Sequence, residues 1–349
     1  MSPPDTPAKA LLGLELDGRW RVVQYLPKGV DATGGFFSQG YLVENDEGRT
    51  GFLKALDYSA ALQMPDQAAA LNQLTAAYLF ERAVLNRCAQ ARLSNVIRIL
   101  ESGQVTVDGF GALSRVDYLI FERAICDARA RRDALEDVGV AWTTRSLHNV
   151  ANGLRQLHDH GICHQDLKPS NVLVTDTRTS KLGDLGRASV MGEVAPHQDC
   201  LIAGALGYAP PELLYGGIQC DDQVRRRACD MYLFGSLVLF MFAGISATAA
   251  LATELDPDHL WTTSGDTYDA MLPYVRDAHD RVVAKLEVAT PEPYREKIVS
   301  MFRALTDPDP ILRGDVKQPT NTLRRYSLER FVSRLDLVAR LAESELRNP

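Results

Sequence analysis

The sequence predicts an α+β fold with two lobes, a small β-rich N-terminal lobe and a larger, mainly helical C-terminal lobe. Three observations lead to this prediction. Short strand-like runs bounded by turn residues recur through the first 125 residues. Apolar residues then recur at helical spacing between Leu147 and His158. Further on, residues 231–253 carry no charged side chain, which is typical of a buried helix when glycines interrupt the run.

The first lobe is expected to contain strands at 20–26, 36–43, 50–57, 103–107 and 116–121 and a helix at 71–88. Strand alternation places Lys54 between two large apolar side chains on one face. Helical spacing turns Glu81 towards apolar neighbours. A buried Lys and a buried Glu are each costly alone, so we expect the two to pair. The pair is either a local structural ion pair or one that holds a ligand.

The second lobe begins near residue 126 and contains an apolar helical stripe that ends at His158. Residues 172–174 and 180–182 predict a short hairpin. A last amphipathic helix is expected over 326–349. Its apolar stripe consists of Leu328, Phe331, Leu335, Val338, Ala342 and Leu346. This helix either packs on the large lobe or serves as a docking site for a partner.

Length and composition narrow the class of protein. The chain has 349 residues and a formal net charge of −7, which allows two cores and argues against a nucleic-acid partner. Six cysteines without a C-x-x-C pair suggest reduced thiols in a cytoplasmic protein. Residues 1–18 lack an apolar signal core and are expected to be a flexible tail. The charge-free run is interpreted as a core helix, so no membrane span is expected.

The stretch HQDLKPSN, residues 164–171, carries the densest group of polar side chains. Asp166 and Asn171 lie on one loop, and Asp184 lies at the end of the hairpin. Carboxylate and amide oxygens suit a hard divalent cation such as Mg²⁺, with Mn²⁺ as an alternative. Lys168 adds positive charge beside Asp166. Acids, metal and lysines in one place are what phosphoryl transfer requires.

Over residues 19–315 the chain resembles the eukaryotic-type Ser/Thr protein kinases. HQDLKPSN matches the catalytic loop of that family except that Gln165 replaces an Arg, and DLG stands where D-F-G is usual. YAPPE stands at the A-P-E position. Asp230 with Gly235 matches the start of a central buried helix, and Arg313 matches the Arg that pairs with the A-P-E glutamate, here Glu212. The resemblance implies a bilobal protein-kinase-like fold with lobes at 19–125 and 126–325.

The resemblance also implies roles for individual residues. Asp166 would accept the proton of the attacking hydroxyl, and Lys168 would stabilise charge on the transferred phosphate. Lys54 would reach the ATP phosphates and be held by Glu81, while His164 would be a packing and hydrogen-bonding residue. Metal ligands would be Asn171 and Asp184. The remaining residues implied in ATP binding are Gly35, Ser38, Phe121 as gatekeeper, Glu122 and Ala124.

The sequence departs from the family pattern at three places. Gln165 cannot grip a phosphate as the family's Arg does, and residues 190–207 of the activation segment contain no Ser, Thr or Tyr. We therefore expect activity that does not depend on phosphorylation of that segment. The Gly-rich loop keeps Gly35, but Ser38 replaces its last Gly. Ala205 stands where Ser/Thr kinases carry a Thr.

The resulting hypothesis is an ATP- and Mg²⁺-dependent protein Ser/Thr kinase with a protein substrate. One alternative is a small-molecule kinase of related fold, such as the aminoglycoside phosphotransferases, which YAPPE, Asp230 and Arg313 disfavour. The other is a pseudokinase scaffold that binds nucleotide, which the intact set of Lys54, Glu81, Asp166, Asn171 and Asp184 disfavours.

Overall fold

The computed structural model describes residues 5–17, 19–27, 38–111, 114–134, 139–217, 221–320 and 322–347. The chain divides into two compact units, residues 1–125 and 126–349. In the described residues the first unit is built on one sheet and one long helix, and the second unit is mainly helical. This distribution is the α+β class that the sequence predicts.

An antiparallel sheet forms the framework of the first unit. Its described strands are β1 (Glu15–Leu16), β2 (Trp20–Leu26), β3 (Ser38–Asn45), β4 (Thr50–Leu56), β5 (Ile99–Thr106) and β6 (Arg115–Glu122), in the order β1-β2-β3-β4-β6-β5. Along β4, Leu53 and Ala55 are fully buried while Lys54 between them lies on the other face. The period-2 pattern therefore aims Lys54 away from the sheet core.

The helix α1 (Gln67–Gln90) is longer at both ends than the predicted 71–88. The carboxylate of Asp66 accepts a hydrogen bond from the N–H of Ala69 at 2.9 Å, which caps the first turn. The helix thus begins before its apolar pattern does. Its buried side chains include Glu81 together with Tyr78, Val84, Leu85 and Cys88.

Residues 5–17 are packed, which corrects the expectation of a flexible tail over 1–18. Ala8 and Leu11 are completely buried, and Leu16 is 1% exposed. The Tyr41 hydroxyl donates a hydrogen bond to the Ala8 carbonyl at 2.7 Å. The segment is short, and only the sheet face that it covers reveals it as core. Residues 1–4 and 18 lie outside the described residues.

The second unit contains eight helices within its described residues. They are α2 (Ala128–Asp133), α3 (Val140–Asp159), α4 (Pro211–Leu214), α5 (Asp222–Ala243), α6 (Ala247–Glu254), α7 (Tyr268–Ala289), α8 (Arg295–Thr306) and α9 (Glu329–Arg347). Short strands accompany them: β7 (Cys126–Asp127), β8 (Ile162–Cys163), β9 (Val172–Val174), β10 (Ser180–Leu182) and β11 (Ser189–Val190). β9 and β10 pair as the predicted hairpin, and β11 pairs with β8.

The charge-free run at 231–253 is buried, but it is not one helix. α5 ends where Gly244 takes φ +78°, a conformation that favours glycine. The Ser246 hydroxyl then caps α6 by accepting the Ala249 N–H at 3.1 Å. Among the described residues, no single helix combines the length and hydropathy that a membrane crossing needs, and only α5 and α6 together do so, as a pair bent by 79°.

The apolar stripe of α9 packs inside the second unit, against α3. Phe331, Leu335, Val338 and Ala342 are buried, whereas Leu346 is 73% exposed. The Arg145 guanidinium of α3 reinforces the contact through ion pairs with Asp336 at 3.1 Å and Glu343 at 2.8 Å. The sequence left two roles open for this stripe, packing on the large lobe or docking of a partner. Its buried residues pack inside the second unit.

Candidate active site

Lys54 and Glu81 form the ion pair that the sequence predicts. The Lys54 ammonium donates to both carboxylate oxygens of Glu81 at 2.9 Å. The Glu81 side chain is 8% exposed and that of Lys54 is 26% exposed. β4 supplies the Lys and α1 supplies the Glu, so the pair joins the sheet of the first unit to its helix.

In the second unit, the loop after α3 and β8 builds a compact group around Asp166. One oxygen of its carboxylate, Oδ2, accepts a hydrogen bond from the Lys168 ammonium at 2.8 Å and one from the Asn171 amide at 3.2 Å. The Asn171 amide nitrogen also donates to the Asp166 carbonyl at 2.8 Å. All three side chains are at least nine-tenths buried. This loop therefore holds a carboxylate, a cation and an amide in one fixed arrangement.

The activation segment meets Asp166 through its backbone. The Ala205 N–H donates to the other carboxylate oxygen, Oδ1, at 2.9 Å. A Cβ added to Gly204 would lie 2.7 Å from that same oxygen and would collide with the Gln165 carbonyl, so only glycine fits this approach. A backbone donor thus contacts Asp166 at the position where the resemblance leads one to expect a Thr side chain.

Asn171 and Asp184 fit a hard cation. Because the nitrogen of the Asn171 amide makes both hydrogen bonds to Asp166, its oxygen, the atom that Mg²⁺ prefers, points the other way. The N–H of Gly183, the residue before Asp184, donates to the Asn171 carbonyl at 2.8 Å. Asp184 takes φ +56°, a conformation uncommon for a residue other than glycine, and is only partly buried. A carboxylate and an amide oxygen are therefore carried by adjacent segments.

His164 holds the catalytic loop to the turn that carries Asp184. Its Nδ1 accepts the Asp166 N–H at 3.3 Å, and its Nε2 lies 3.1 Å from the Gly183 carbonyl. With Nδ1 as acceptor, Nε2 carries the proton and donates to that carbonyl. The ring is completely buried. These contacts are those of the packing and hydrogen-bonding residue that the sequence predicts.

The Asp230 carboxylate holds the backbone of the loop that carries Asp166. Its carboxylate accepts the backbone N–H groups of His164 and Gln165, each at 2.8 Å, and lies 2.8 Å from His158 Nε2. Burial by itself would raise the pKa of Asp230, but the His158 hydrogen bond and the nearby imidazoles outweigh it and hold the pKa below its usual value. His158, Cys163 and Asp230 are close enough to share a metal ion, but the Asp230 oxygens are already occupied by these donors.

The Gln165 side chain points inward, towards α5. Its side-chain amide donates to the Arg226 carbonyl at 2.8 Å and to Asp230 at 3.0 Å. Its backbone takes φ +63°. The Gln thus ties the catalytic loop to α5 with neutral hydrogen bonds.

Ser189 is the hydroxyl-bearing residue of the activation segment that lies nearest the DLG turn and could accept a phosphate. It is 5% exposed. It sits in β11 and pairs with Cys163 of β8. Further along, the ring of His197 is buried and its Nε2 lies 3.0 Å from the Ala188 carbonyl. Burial, aided by the positive charge of Arg187, lowers the pKa of His197, which keeps the ring neutral. The segment is therefore anchored by strand pairing and a neutral imidazole.

Arg313 and Glu212 form the predicted buried pair. The guanidinium donates to the two carboxylate oxygens at 2.7 and 3.0 Å, and also to the carbonyls of Ala228 and Asp307, each at 3.0 Å. Arg313 is completely buried. Burial by itself would lower the pKa of Arg313, but the charge and hydrogen bonds of Glu212 reverse the effect and raise it.

The other residues implied in ATP binding lie in the first unit. Phe121 is 7% exposed and lies in β6, with Glu122 next to it. The Glu122 N–H donates to the Arg98 carbonyl at 3.0 Å, so an adenine contact from Glu122 would use its carbonyl. Ala124 follows β6 and is partly exposed. Ser38 is buried at the start of β3. Gly35 and the rest of the Gly-rich loop lie outside the described residues.

A family model for the protein kinase domain matches residues 43–313, which is more than half of the chain. The matched range contains Lys54, Glu81, the Asp166 loop and the Glu212–Arg313 pair. The chain belongs to the protein kinase family. The predicted kinase-like fold and family are therefore confirmed, and the β-rich and helical units correspond to the two lobes of this protein kinase.

Curated relatives of the kinase include plant receptor kinases. An L-type lectin-domain containing receptor kinase from Arabidopsis thaliana is 29% identical over 196 residues, which cover 54% of this chain and 29% of the relative. A G-type lectin S-receptor-like serine/threonine-protein kinase from the same plant is 33% identical over 122 residues, 33% of this chain and 14% of the relative. The chain thus matches well under two thirds of the length of these relatives.

Sequence reasoning missed two features of the kinase site. It did not foresee that the Ala205 backbone contacts Asp166, although a Gly directly before Ala205 was a signal for close backbone approach. It also gave no contact to any residue of α2. The Arg129 guanidinium of this helix donates to the Tyr208 hydroxyl at 3.1 Å, and no sequence spacing links two residues so far apart.

Proposed function

We propose that this kinase transfers the γ-phosphate of ATP, with Mg²⁺, to a Ser or Thr hydroxyl of a protein, and that it needs no phosphate on its activation segment. The observation that carries the proposal is the Asp166 group. Its carboxylate is held by Lys168, Asn171 and the Ala205 backbone. This is the arrangement of base, cation and amide that phosphoryl transfer to a hydroxyl requires.

In the proposed reaction, Asp166 orients the acceptor hydroxyl and takes its proton. Lys168, now paired with Asp166, would move its ammonium to the oxygens of the transferred phosphate, which leaves Oδ2 of Asp166 for the hydroxyl. Asn171 and Asp184 would hold the cation, with Mn²⁺ as an alternative to Mg²⁺. Bound Mg²⁺ supplies charge neutralisation at the phosphates.

The Lys54–Glu81 pair supports ATP as the phosphate donor. A cation that is only partly buried can reach a phosphate while its carboxylate partner keeps it in place. Phe121, Glu122 and Ala124 are proposed to contact the adenine, and Gly35 and Ser38 belong to the proposed phosphate-binding loop. Since the Lys54–Glu81 pair is intact, it favours an active kinase over a pseudokinase scaffold.

A protein acceptor is favoured over a small molecule by the Glu212–Arg313 pair. It anchors the end of the activation segment to the helical core, and an anchored segment forms a fixed platform for an extended substrate. Ser or Thr as acceptor, a cytoplasmic location and partner docking through α9 stay predictions. Docking would fall to the outer face of α9, because the stripe is buried against α3.

Replacing Lys54 by Met is expected to lower the rate of phosphoryl transfer by about 10²–10³-fold, because the phosphates lose a positioned cation. The assay uses ATP labelled in its γ-phosphate, Mg²⁺ and a generic protein substrate, followed by phosphoamino-acid analysis. Lys285→Met is the matched control, since Lys285 is 42% exposed and belongs to a surface ion pair. Label on Tyr alone would refute the Ser/Thr part, and equal rates for wild type and Lys54→Met would refute the site.

The rate is expected to be unchanged by phosphatase treatment and by Ser189→Ala. The reason is that Ser189 is buried in β11 and Gln165 offers no cation to a phosphate. Gln165→Arg should not raise the rate, and it should lower the melting temperature because it loses the amide bonds to Arg226 and Asp230. An inactive Ser189→Ala variant rescued by Ser189→Asp would instead establish a phosphorylation switch.

A further inference from the structure

The short helix α2 concentrates positive charge that the described residues neutralise only in part. Arg129, Arg131 and Arg132 all lie on it. In the described part of the chain, Arg129 and Arg131 have no carboxylate at ion-pair distance, and Arg132 approaches only Asp133, at 3.8 Å. The Nε atoms of all three guanidinium groups are buried without a hydrogen-bond partner. Burying such donors unpaired is costly, so the helix is poorly explained by packing alone.

Aromatic rings fix where these guanidinium groups lie. Arg129 and Arg132 are placed over the ring of Phe240 at 5.7 and 5.5 Å, and Arg131 is placed over Trp142 at 6.0 Å. A guanidinium that stacks by its face keeps its N–H edge for a second partner. The three guanidinium groups are thus held in position and still have N–H groups that can bind a second partner.

Contacts connect Arg129 to the catalytic carboxylate. The Tyr208 hydroxyl accepts a hydrogen bond from the Arg129 guanidinium at 3.1 Å. The Tyr208 N–H donates to the Ala205 carbonyl, and the Ala205 N–H in turn donates to the Asp166 carboxylate. Burial chiefly raises the pKa of Tyr208, the Arg129 charge opposes it, and the Asp166 charge adds to it. Arg129 therefore lies within electrostatic reach of the point where the acceptor hydroxyl would react.

The catalytic loop offers a second polar atom in the same place. α2 packs against the turn at Pro169–Asn171, and the Ser170 hydroxyl in this turn is buried without a hydrogen-bond partner. A hydroxyl donor and guanidinium donors together favour an anion with several oxygens.

We propose that Arg129 and Arg132 bind an anionic side chain, a carboxylate or a phosphate, that lies a few residues from the acceptor hydroxyl in the protein substrate. The proposal rests on the proposed function. It assigns α2 the selection of acidic substrate segments, because a guanidinium pairs with two oxygens of a carboxylate or phosphate and would be repelled by a basic side chain.

The test scans Ser-containing peptides with Asp, Asn or phosphoserine at each of four positions on either side of the acceptor. Wild-type kinase should show a KM about 10-fold lower for at least one Asp peptide than for its Asn counterpart, with kcat similar. If phosphoserine lowers KM more than Asp does, phosphate is the natural anion. If the two lower KM equally, carboxylate is the natural anion. Equal KM values for the Asp, Asn and phosphoserine peptides at every position would overturn the proposal without any variant.

Variants then assign the preference to α2. Arg129→Gln and Arg132→Gln should each remove most of it, and Arg129→Lys should restore part of it. Arg303→Gln, on α8 with a side chain 48% exposed, is the matched control. A uniform fall of activity on all peptides in Arg129→Gln would point to packing on Phe240 and overturn the proposal.

Binding separates this proposal from the proposed function. Fluorescence anisotropy of the labelled peptides, without nucleotide, should show the same Asp preference and a weakening with salt. If no peptide is phosphorylated but the Asp preference in binding persists and disappears in Arg129→Gln, the anion site stands and the kinase reaction is refuted. If phosphorylation occurs without any preference for Asp or phosphoserine, the anion site is refuted and the kinase reaction stands.

Discussion

Asp166→Asn is expected to lower kcat for phosphoryl transfer by about 10³-fold, because the amide cannot accept the proton of the acceptor hydroxyl. The substitution suits the site. An Asn keeps one oxygen for the Ala205 N–H, which lies 2.9 Å from Oδ1 in the native chain. It replaces the other oxygen, which pairs with Lys168 and Asn171, by a donor. The loop loses these two hydrogen bonds but keeps the Ala205 contact and the bond from the Asn171 amide to the carbonyl of residue 166, so we expect the fold to survive while the chemical step fails.

The measurement is single-turnover transfer from labelled ATP, combined with nucleotide binding and a thermal melt of each variant. Nucleotide affinity should change by less than the rate, since Asp166 is proposed to act on the acceptor. Asp159→Asn is the control: it lies at the end of α3 with a side chain 58% exposed, in an exposed pair with Arg155. A kcat within about threefold of wild type in Asp166→Asn would contradict the assigned base.

Arg313→Ala is expected to destabilise the second unit by about 3–5 kcal/mol, because it leaves the Glu212 carboxylate buried without its cation. Arg313 is completely buried and Glu212 is 3% exposed. The guanidinium also hydrogen-bonds the carbonyls of Ala228 and Asp307, and these lose a donor in the variant. The loss should appear as a lower urea midpoint with a similar m-value.

Fluorescence of Trp142 and Trp261 reports this transition, because both belong to the second unit, and a Trp20→Phe background removes the signal of the first. Arg303→Ala is the matched control. Its ion pair with Asp280 is exposed, with side chains 48% and 67% exposed, and should contribute at most about 1 kcal/mol. The Glu212→Gln, Arg313→Met double variant should lose less free energy of unfolding than the sum of the losses in the Glu212→Gln and Arg313→Met single variants. Equal losses for Arg313→Ala and Arg303→Ala would contradict the assigned role.

Local periodicity predicted the elements that carry the site. Alternation along β4 placed Lys54 on one face between two large apolar side chains, and helical spacing turned Glu81 inward on α1, which predicted that the two would pair. Both inferences succeed because a side chain's direction follows from the local backbone geometry. The same logic gave the stripe of α3 and the hairpin of β9 and β10.

Positions without a local pattern were predicted less well. Residues 5–17 were predicted to belong to a flexible tail, yet Ala8, Leu11 and Leu16 are core. The run at 231–253 looks like one helix, yet Gly244 ends α5 and Ser246 starts α6. For the first segment the deciding partner is distant, because a sheet face covers it. For the second, Gly244 and Ser246 lie in the run itself, and only the structure shows that they end one helix and begin the next.

The sequence by itself determined which side chains the kinase brings to each unit, because spacing along a strand, a helix or a loop is a local property. It also determined that Gln165 cannot form the ion pair with a phosphate that the family's Arg forms, because an amide carries no charge. Only the tertiary structure decided what Gln165 does instead, that Ser189 is buried against β8, and that Ala205 contacts Asp166 through its N–H. These outcomes depend on which donors and acceptors meet across more than twenty residues of chain, and burial then forces each polar group to find a partner.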